Sequence, residues 1–562
     1  MAELELPRPV SQPSAGPLDG KFWDLIEADF RRLAKDHPIY ATYLGIHDDD
    51  GRLDDATRDA VIQDIEDARK LETALEAVDP AGLSESVKLE RELALHNVRH
   101  ELFNSEVHRV WERRSTAMDQ VGDALFGIFA RDYAPLAERL AAITERMEAV
   151  PAALEQHKTR ATAPQVKIWQ ELEIDAGEQM PFFFDEIKAA GRGLLDERAQ
   201  ARLDKAAESA SAATAAYIET VKASMGATVE DWALGSDAYD QLVGLRAFDG
   251  LDADQILEIG HRQLELNKAA RVDDARRIDP TASEPEVVDR VKSNHPATFD
   301  EALAAYKDAM FRSRAYIIEH DIATMPAGEQ ISVIRTPEYL RTVIPFAAYF
   351  EPPKFDKHPS GIYIVTPSVG DDPNAMREHN WASISNTSVH EAYPGHHLQL
   401  SAATRHPSLV RLLTDAPEFV EGWGMYSEQM MREQGFDDGP EFLLAMHTDA
   451  IWRACRIILD VRMHRGEMTV DEGTAFLIEH TGFEHANAQA EVFRYTYTPT
   501  YQLSYLLGKV MLLQLRADEQ KRLGDQFSLK KFHDSLMNNG SLPISFHRRI
   551  LAADAARAGV NG

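Results

Sequence analysis

Cysteine is almost absent from this sequence. The chain has 562 residues and one cysteine, Cys455, which excludes an intrachain disulfide framework. Cysteine-poor chains are typical of reducing compartments, although some exported bacterial proteins also lack disulfides. We therefore expect a cytoplasmic location.

Basic charge is also scarce. The chain carries 92 acidic and 60 basic side chains, a net charge of −32. Such a surface repels phosphate groups, so it argues against nucleic acid and against an anionic membrane as partners. No apolar run is long enough to span a bilayer. The start, "MAELELPRPVSQPSAG", lacks the basic and apolar regions of a secretory signal, and we expect residues 1–19 to form a disordered tail.

Apolar residues at helical spacing are abundant. Apolar residues make up 44% of the chain, enough for a large core. In "KFWDLIEADFRRLAKDHP", Phe22, Ile26 and Phe30 recur at the spacing of one helix face. The same pattern repeats along the chain and predicts a mainly α protein. With no Gly/Ser linker to divide it, we expect an N-terminal helical part over 20–290, forming a cleft wall, and a catalytic part over 291–562.

One interval departs from helical spacing. Between residues 330 and 367, the stretches "ISVIRT", "FAAYFEP" and "GIYIVTP" are β-branched and aromatic and are bounded by Pro and Gly. They predict two or three short strands. The sheet could bind an extended peptide along its edge, or it could be purely structural. After it we predict helices over about 383–403, 417–434, 440–463, 484–494 and 500–519.

The stretch "NTSVHEAYPGHHLQL" begins like the zinc motif His-Glu-x-x-His. In that motif two histidines at i and i+4 share a helix face, and the glutamate reaches the zinc-activated water. Here the next histidines after His390 are His396 and His397. In a continuous helix the i+7 position lies roughly 10 Å further along the axis, too far to share an ion. Pro394 and Gly395 predict a two-residue bulge that could bring His396 to the i+4 place.

A carboxylate ligand is expected on a later helix. "APEFVEGWGMYSEQMMREQG" supplies Glu421 and, seven residues on and on nearly the same face, Glu428. Glu421 has apolar neighbours, and an acid in such a setting needs a partner, of which a cation is one. The alternative is a buried His/Glu hydrogen-bond cluster without metal.

The segments "HEAYPGHHLQ" and "FVEGWGMYSE" resemble an uncharacterised bacterial family of unknown function. That family is similar to the carboxypeptidase Taq and thimet-oligopeptidase-like zinc peptidases. The resemblance implies a large helical fold with a deep cleft. Aligning the Gly-His pairs selects His396 over His397 and Glu421 over Glu428. The implied Zn²⁺ ligands are then His390, His396 and Glu421.

The same resemblance implies the roles of further residues. Glu391 would be the general base, and Glu428 would orient a histidine ligand. In "RYTYTPTYQLSYLLGK", Tyr505 is the best match, and Tyr501 the second, to tyrosines that contact the substrate carbonyl and the tetrahedral intermediate.

A second histidine is a candidate catalytic group. "RACRIILDVRMHRGEM" places Asp460 and His464 one helical turn apart, so that His464 could stabilise an oxyanion. A salt-bridged helix face explains the pair equally well.

The function predicted by these motifs is a zinc-dependent peptidase that cleaves short peptides or peptide ends, with a peptide or small amide as substrate. A metal-dependent hydrolase of another amide or ester, and a non-catalytic helical scaffold, are the alternatives. Arg494 and Lys509 are candidates for binding a substrate carboxylate, but 60 basic residues make the choice weak. Whether the chain forms a homo-oligomer is left open.

Overall fold

The computed structural model describes residues 4, 6–7, 16–337, 341, 344, 346–367 and 375–557. It is mainly helical with one three-stranded sheet, which confirms the predicted fold class. Most of the expected tail, residues 1–19, lies outside the described residues. Among the helices of the described part, none combines the length and the apolar character needed to cross a bilayer.

The chain divides into two compact units. The first contains residues 1–232, 353–359 and 407–410, and the second contains 233–352, 360–406 and 411–562. The division follows residue 232, whereas the sequence-based boundary at 290 falls inside a helix of the second unit. The reason is that the helix over 253–278 packs along the helix over 440–464, and so belongs with the C-terminal half.

The first unit is helical, and its core lies between α7, α8 and α9. Amphipathic faces form it as predicted: in α1 the residues Phe22, Ile26 and Phe30 are all buried. Its helices are α1 (Asp19–Asp36), α2 (Pro38–Tyr43), α3 (Arg58–Glu76), α4 (Glu85–Phe103), α5 (Val110–Arg113), α6 (Ala117–Ala130), α7 (Leu136–His157), α8 (Lys167–Gly191) and α9 (Glu197–Ser224).

The second unit contains the remaining helices and the sheet. Its helix pairs α11 with α18 and α17 with α21 are the most extensively packed, and α14 contacts α13, α17 and α18. The helices are α10 (Ser236–Leu245), α11 (Ala253–Ile278), α12 (Glu284–Ser293), α13 (Phe299–Glu319), α14 (Trp381–Glu391), α15 (His396–Ala403), α16 (Leu409–Leu413, which starts in the first unit), α17 (Pro417–Glu433), α18 (Pro440–His464), α19 (Val470–Thr481), α20 (His485–Tyr495), α21 (Ser504–Leu523), α22 (Leu529–Asn538) and α23 (Ile544–Arg557).

The sheet has three strands, at the three stretches where two or three strands were predicted. They are β1 (Ile331–Arg335), β2 (Ala347–Phe350) and β3 (Gly361–Val365), in the order β1-β3-β2. β3 pairs parallel with β1, in the register Ile331 to Gly361, and antiparallel with β2, in the register Ala347 to Val365. Every residue of β3 is buried, which explains its unbroken apolar sequence, and β2 lies at an edge.

Candidate metal centre

The two halves of the histidine motif lie on different helices. α14 ends at Glu391, residues 392–395 form a turn, and α15 begins at His396. The prediction of one helix over 383–403 with a two-residue bulge is therefore wrong. Helical hydrogen bonding cannot continue through Pro394, which lacks a backbone N–H, and the backbone at Ala392 leaves the helical region (φ −115°, ψ −86°).

The turn folds back tightly against the end of α14. A Cβ atom on Gly395 would lie 1.8 Å from the His390 carbonyl oxygen, so only glycine fits there. The Gly395 N–H donates to the Val389 carbonyl at 3.0 Å, and Trp423 Nε1 donates to the Pro394 carbonyl at 2.8 Å. As a result the His390 and His396 rings lie with their centroids 4.7 Å apart.

Helix α17 brings the carboxylate to the two imidazoles. Glu421 Oε2 lies 3.7 Å from His390 Nε2 and 3.4 Å from His396 Nε2. Zinc–ligand bonds of about 2.0–2.1 Å at tetrahedral angles would place donor atoms about 3.3 Å apart. All three donors lie within 4.8 Å of one another. The geometry thus fits a tetrahedral ion with three protein ligands and one open position.

A second glycine permits this approach. A Cβ atom on Gly424 would lie 2.6 Å from the His390 ring, so a larger residue would push α17 away from α14. The Gly-Trp-Gly sequence after Glu421 therefore has a steric role that helical periodicity alone does not reveal.

Hydrogen bonds from neighbouring side chains orient the candidate ligands. His390 Nδ1 lies 2.7 Å from Glu428 Oε1, which leaves Nε2 facing Glu421. Asn386 Nδ2 donates to Glu428 Oε2 at 3.0 Å. Tyr501 Oη donates to Glu421 Oε1 at 2.9 Å. Among the described residues His396 Nδ1 has no hydrogen-bond partner, although it is buried.

The charges in the cluster favour a cation. Burial lowers the pKa of His390, but its hydrogen bonds with Glu421 and Glu428 outweigh this and raise the pKa to about 10. Burial would raise the pKa of Glu421, yet His390 and His396 hold it well below the usual range. The carboxylates thus demand positive charge, which protons on the imidazoles or a divalent metal ion can supply.

His397 points away from the cluster. Its Nε2 lies 3.0 Å from Glu329 Oε2, and its Nδ1 lies 2.8 Å from Tyr349 Oη. Arg314 and the Tyr393 hydroxyl also bind Glu329, so His397 belongs to a separate buried network. Of the two histidines that the sequence left open, the structure brings only His396 to Glu421.

A cavity of about 430 Å³ opens beside the three donors. Glu391 lines it and interacts electrostatically with His396, His390 and Glu421. Burial raises the pKa of Glu391. The cavity is also lined, among others, by Tyr349, Asp449, Trp452, Arg453, Arg456, Glu491, Arg494, Tyr501 and Tyr505, all from the second unit.

Two of the predicted residues are not brought to this cavity. His464 lies 4.0 Å from Asp460, beyond hydrogen-bond distance, and its Nε2 donates to the Tyr495 carbonyl at 2.9 Å. Asp460 instead accepts from the Tyr239 hydroxyl at 2.7 Å. Lys509 lines a different cavity, of about 420 Å³.

Three residues that line or support the site were not predicted as site residues. Asn386, one turn before His390, links Glu428 to Asp449. Asp449 and Arg453 lie one turn apart on α18 and face the cavity. Their i, i+4 spacing is visible in the sequence, but many exposed ion pairs have the same spacing, so it does not single them out.

The sequence profile of a bacterial family described as "Bacterial protein of unknown function (DUF885)" matches residues 38–551. The chain belongs to this family. No curated protein matches this DUF885 chain.

Solved structures with the same fold exist for two other bacterial proteins. One is a "putative lipoprotein of unknown function" from Shewanella oneidensis, with 22% identity and a TM-score of 0.76, covering 94% of this chain and 99% of its own. The other is a "putative lipoprotein" from Colwellia psychrerythraea, with 18% identity and a TM-score of 0.77, covering 96% of this chain and 99% of its own. At this identity they show the fold of the DUF885 chain alone.

Proposed function

We propose that this protein is a zinc-dependent peptidase that cleaves short peptides or peptide ends. The observation that supports the proposal most directly is the set of three donor atoms at near-tetrahedral distances beside the carboxylate of Glu391, which lines the same cavity. His390, His396 and Glu421 would hold the ion. The similarity of the motifs to those of zinc peptidases is consistent with this assignment.

A zinc ion at this place would polarise a substrate carbonyl and make a water molecule more acidic. Glu391 would accept a proton from that water as its oxygen adds to the carbonyl carbon. The same carboxyl would then pass the proton to the amide nitrogen as the C–N bond breaks. Burial raises the pKa of Glu391, which favours a carboxyl that donates a proton as well as accepting one.

The two tyrosines have different surroundings. Tyr501 is hydrogen-bonded to Glu421, so we assign it to positioning that ligand. Tyr505 lines the same cavity and lies edge-on to Tyr501, with ring centroids 5.9 Å apart. We assign the Tyr505 hydroxyl to the substrate oxygen on which negative charge develops. His464, being outside the cavity, has no part in this mechanism.

Metal content and turnover test the proposal together. We expect about one zinc per chain by elemental mass spectrometry in both the wild type and Glu391→Gln. Turnover of a mixed peptide pool should fall by about 100-fold or more in the variant, the effect typical of losing a general base. An active Glu391→Gln protein would exclude this mechanism.

Absence of metal after zinc is offered would exclude the metal centre itself. Turnover of esters or other amides without peptide cleavage would identify a different hydrolase with the same site. The cytoplasmic location remains a prediction that localisation of the tagged protein can test.

A further inference from the structure

One cation in the cavity has unused hydrogen-bond donors. Arg453, on α18, has its Nε and Nη1 atoms buried, and neither has a hydrogen-bond partner among the described residues. The carboxylate one turn earlier, Asp449, has its Oδ1 atom 3.6 Å from Nη1, too far for a hydrogen bond. Buried guanidinium N–H groups are normally hydrogen-bonded. Two such donors without a hydrogen-bond partner among the described residues, on a side chain that lines a cavity, therefore point to a bound ligand.

Asp449 is a poor counter-charge for Arg453. Its Oδ2 atom accepts a hydrogen bond from Asn386 Nδ2 at 2.9 Å. Burial raises the pKa of Asp449 and the Glu428 carboxylate adds to the effect, whereas the charge of Arg453 opposes it. Arg453 interacts electrostatically with Asp449, Glu428 and Glu391, but its Nε and Nη1 donors have no hydrogen-bond partner among the described residues.

The neighbouring wall of the cavity has a further surplus of positive charge. Arg456 Nη2 and Arg494 Nη2 both bind one carboxylate, Glu491, at 2.8 Å and 2.9 Å. Together with Arg453 and Asp449, this wall carries three guanidinium groups against two carboxylates. The positive charge is local to this wall, because Glu378, Glu391 and Glu421 also line the cavity.

Aromatic stacking holds the Arg453 guanidinium in place. Its central carbon lies 3.9 Å from the Trp452 ring centroid and 6.0 Å from that of Tyr505. A stacked guanidinium presents its N–H groups in a fixed plane, which suits the two oxygens of a carboxylate.

We propose that Arg453 binds a carboxylate group of the substrate inside this cavity. The carboxylate comes either from the free C-terminus of a peptide or from an acidic side chain. A C-terminal source would make the enzyme an exopeptidase that works from the carboxyl end. The catalytic part of this statement rests on the proposed function, but the binding part does not.

Binding can be measured without turnover, in the Glu391→Gln background. The probes are three pools of randomised N-acetylated tetrapeptides, analysed by affinity selection and mass spectrometry. One pool has a free C-terminal acid, one is C-terminally amidated, and one is amidated with an aspartate at a fixed position. We expect at least one carboxylate pool to be retained about 10-fold or more over the plain amides.

Arg453→Met preserves the packing of the side-chain stem on Trp452 and should reduce this preference to within about twofold. Lys292→Met is the matched control, because Lys292 lines the same cavity but its ammonium already pairs with Glu378 at 3.1 Å. The control should leave the preference unchanged. Zinc content and melting temperature confirm that each variant is folded.

The outcomes separate the two proposals. Retention of the free-acid pool identifies a C-terminal carboxylate, and retention of the aspartate pool identifies a side chain. Equal retention of all pools, no retention, or a preference that survives Arg453→Met overturns the carboxylate site. Selective binding by Glu391→Gln with no cleavage of the same pools by the wild type would keep the carboxylate site and exclude the peptidase.

Discussion

Two buried acids, Glu173 in the first unit and Glu428 in the second, have partners of different kinds. In the first unit Glu173 is 1% exposed, and its Oε1 atom accepts from the Ser115 hydroxyl and the Met118 N–H. In the second unit Glu428, 3% exposed, faces the imidazole of His390.

The partners decide the charge of each acid. Burial raises the pKa of Glu173 to about 8, so it is mostly protonated at neutral pH. Burial acts in the same direction on Glu428, but the hydrogen bond with His390 outweighs it and lowers the pKa. Only an ionised acid attracts a cation, so burial by itself does not mark a metal site.

The largest expected effect separates the adjacent histidines. His396→Ala removes a proposed ligand, and its zinc affinity should fall by more than the roughly 10–100-fold typical of losing an outer-shell partner. His397→Ala should keep its zinc. It should instead lose stability, on the order of 1–3 kcal/mol, because the buried Glu329 loses a partner.

Elemental analysis after dialysis against a chelator measures the zinc content of both variants, and thermal melting measures their stability. Zinc lost from His397→Ala and kept by His396→Ala would contradict the ligand assignment.

Glu428→Gln tests whether the ionised acid of the second unit supports the metal. A neutral amide polarises His390 less, so zinc affinity should fall by about 10–100-fold. Competition with a fluorescent zinc chelator measures the zinc affinity of the variant. Glu173→Gln is the control from the first unit and should leave zinc affinity unchanged. An equal loss of zinc affinity in both variants would show that Glu428 has no specific role in zinc binding.

Glu173→Gln should alter the pH dependence of stability instead. The folded-state pKa of about 8 exceeds the ordinary glutamate pKa of 4.5, so the native state holds the extra proton between these two pH values. Stability contributed by this acid is complete below pH 4.5 and is lost as pH rises towards 8, by roughly 1 kcal/mol per pH unit at the steepest.

The variant does not titrate at this position. The melting temperature of the variant minus that of the wild type should therefore increase from pH 5 to pH 8. Above pH 8 this difference should stay constant. A constant difference across this range would show that Glu173 is ionised in the folded protein.

The smallest expected effect concerns the two tyrosines. Tyr501→Phe removes one hydrogen bond to Glu421 and should weaken zinc binding by about 10-fold, the lower end of outer-shell effects. Tyr505→Phe should leave zinc affinity unchanged and lower kcat. An equal loss of zinc affinity in Tyr501→Phe and Tyr505→Phe would mean that the hydrogen bond from Tyr501 to Glu421 has no specific effect on zinc binding.

Local patterns were sufficient for much of the fold. The β-branched stretches over 331–336, 346–352 and 361–367 correspond to the three strands, since strand propensity and Pro/Gly boundaries act over a few residues. The helices predicted over 417–434 and 440–463 are observed as Pro417–Glu433 and Pro440–His464. Apolar periodicity predicts such elements because each helix buries one face.

Contacts between residues far apart in the sequence were harder to predict from local patterns. His464 was predicted to pair with Asp460 from spacing alone, but Tyr239, 221 positions earlier, holds Asp460 instead. The unused donors of Arg453 were equally hidden, because whether an N–H group is satisfied depends on every element around it.

The sequence by itself determined the helical class and the short sheet, because these follow from local periodicity, and motif chemistry narrowed the candidate ion ligands to a few histidines and glutamates. The tertiary structure alone decided that the motif is split between two helices and that His396, not His397, faces Glu421. The reason is steric: Gly395 and Gly424 allow backbone and ring to approach to distances that no larger residue permits, and such contacts exist only once the helices have packed.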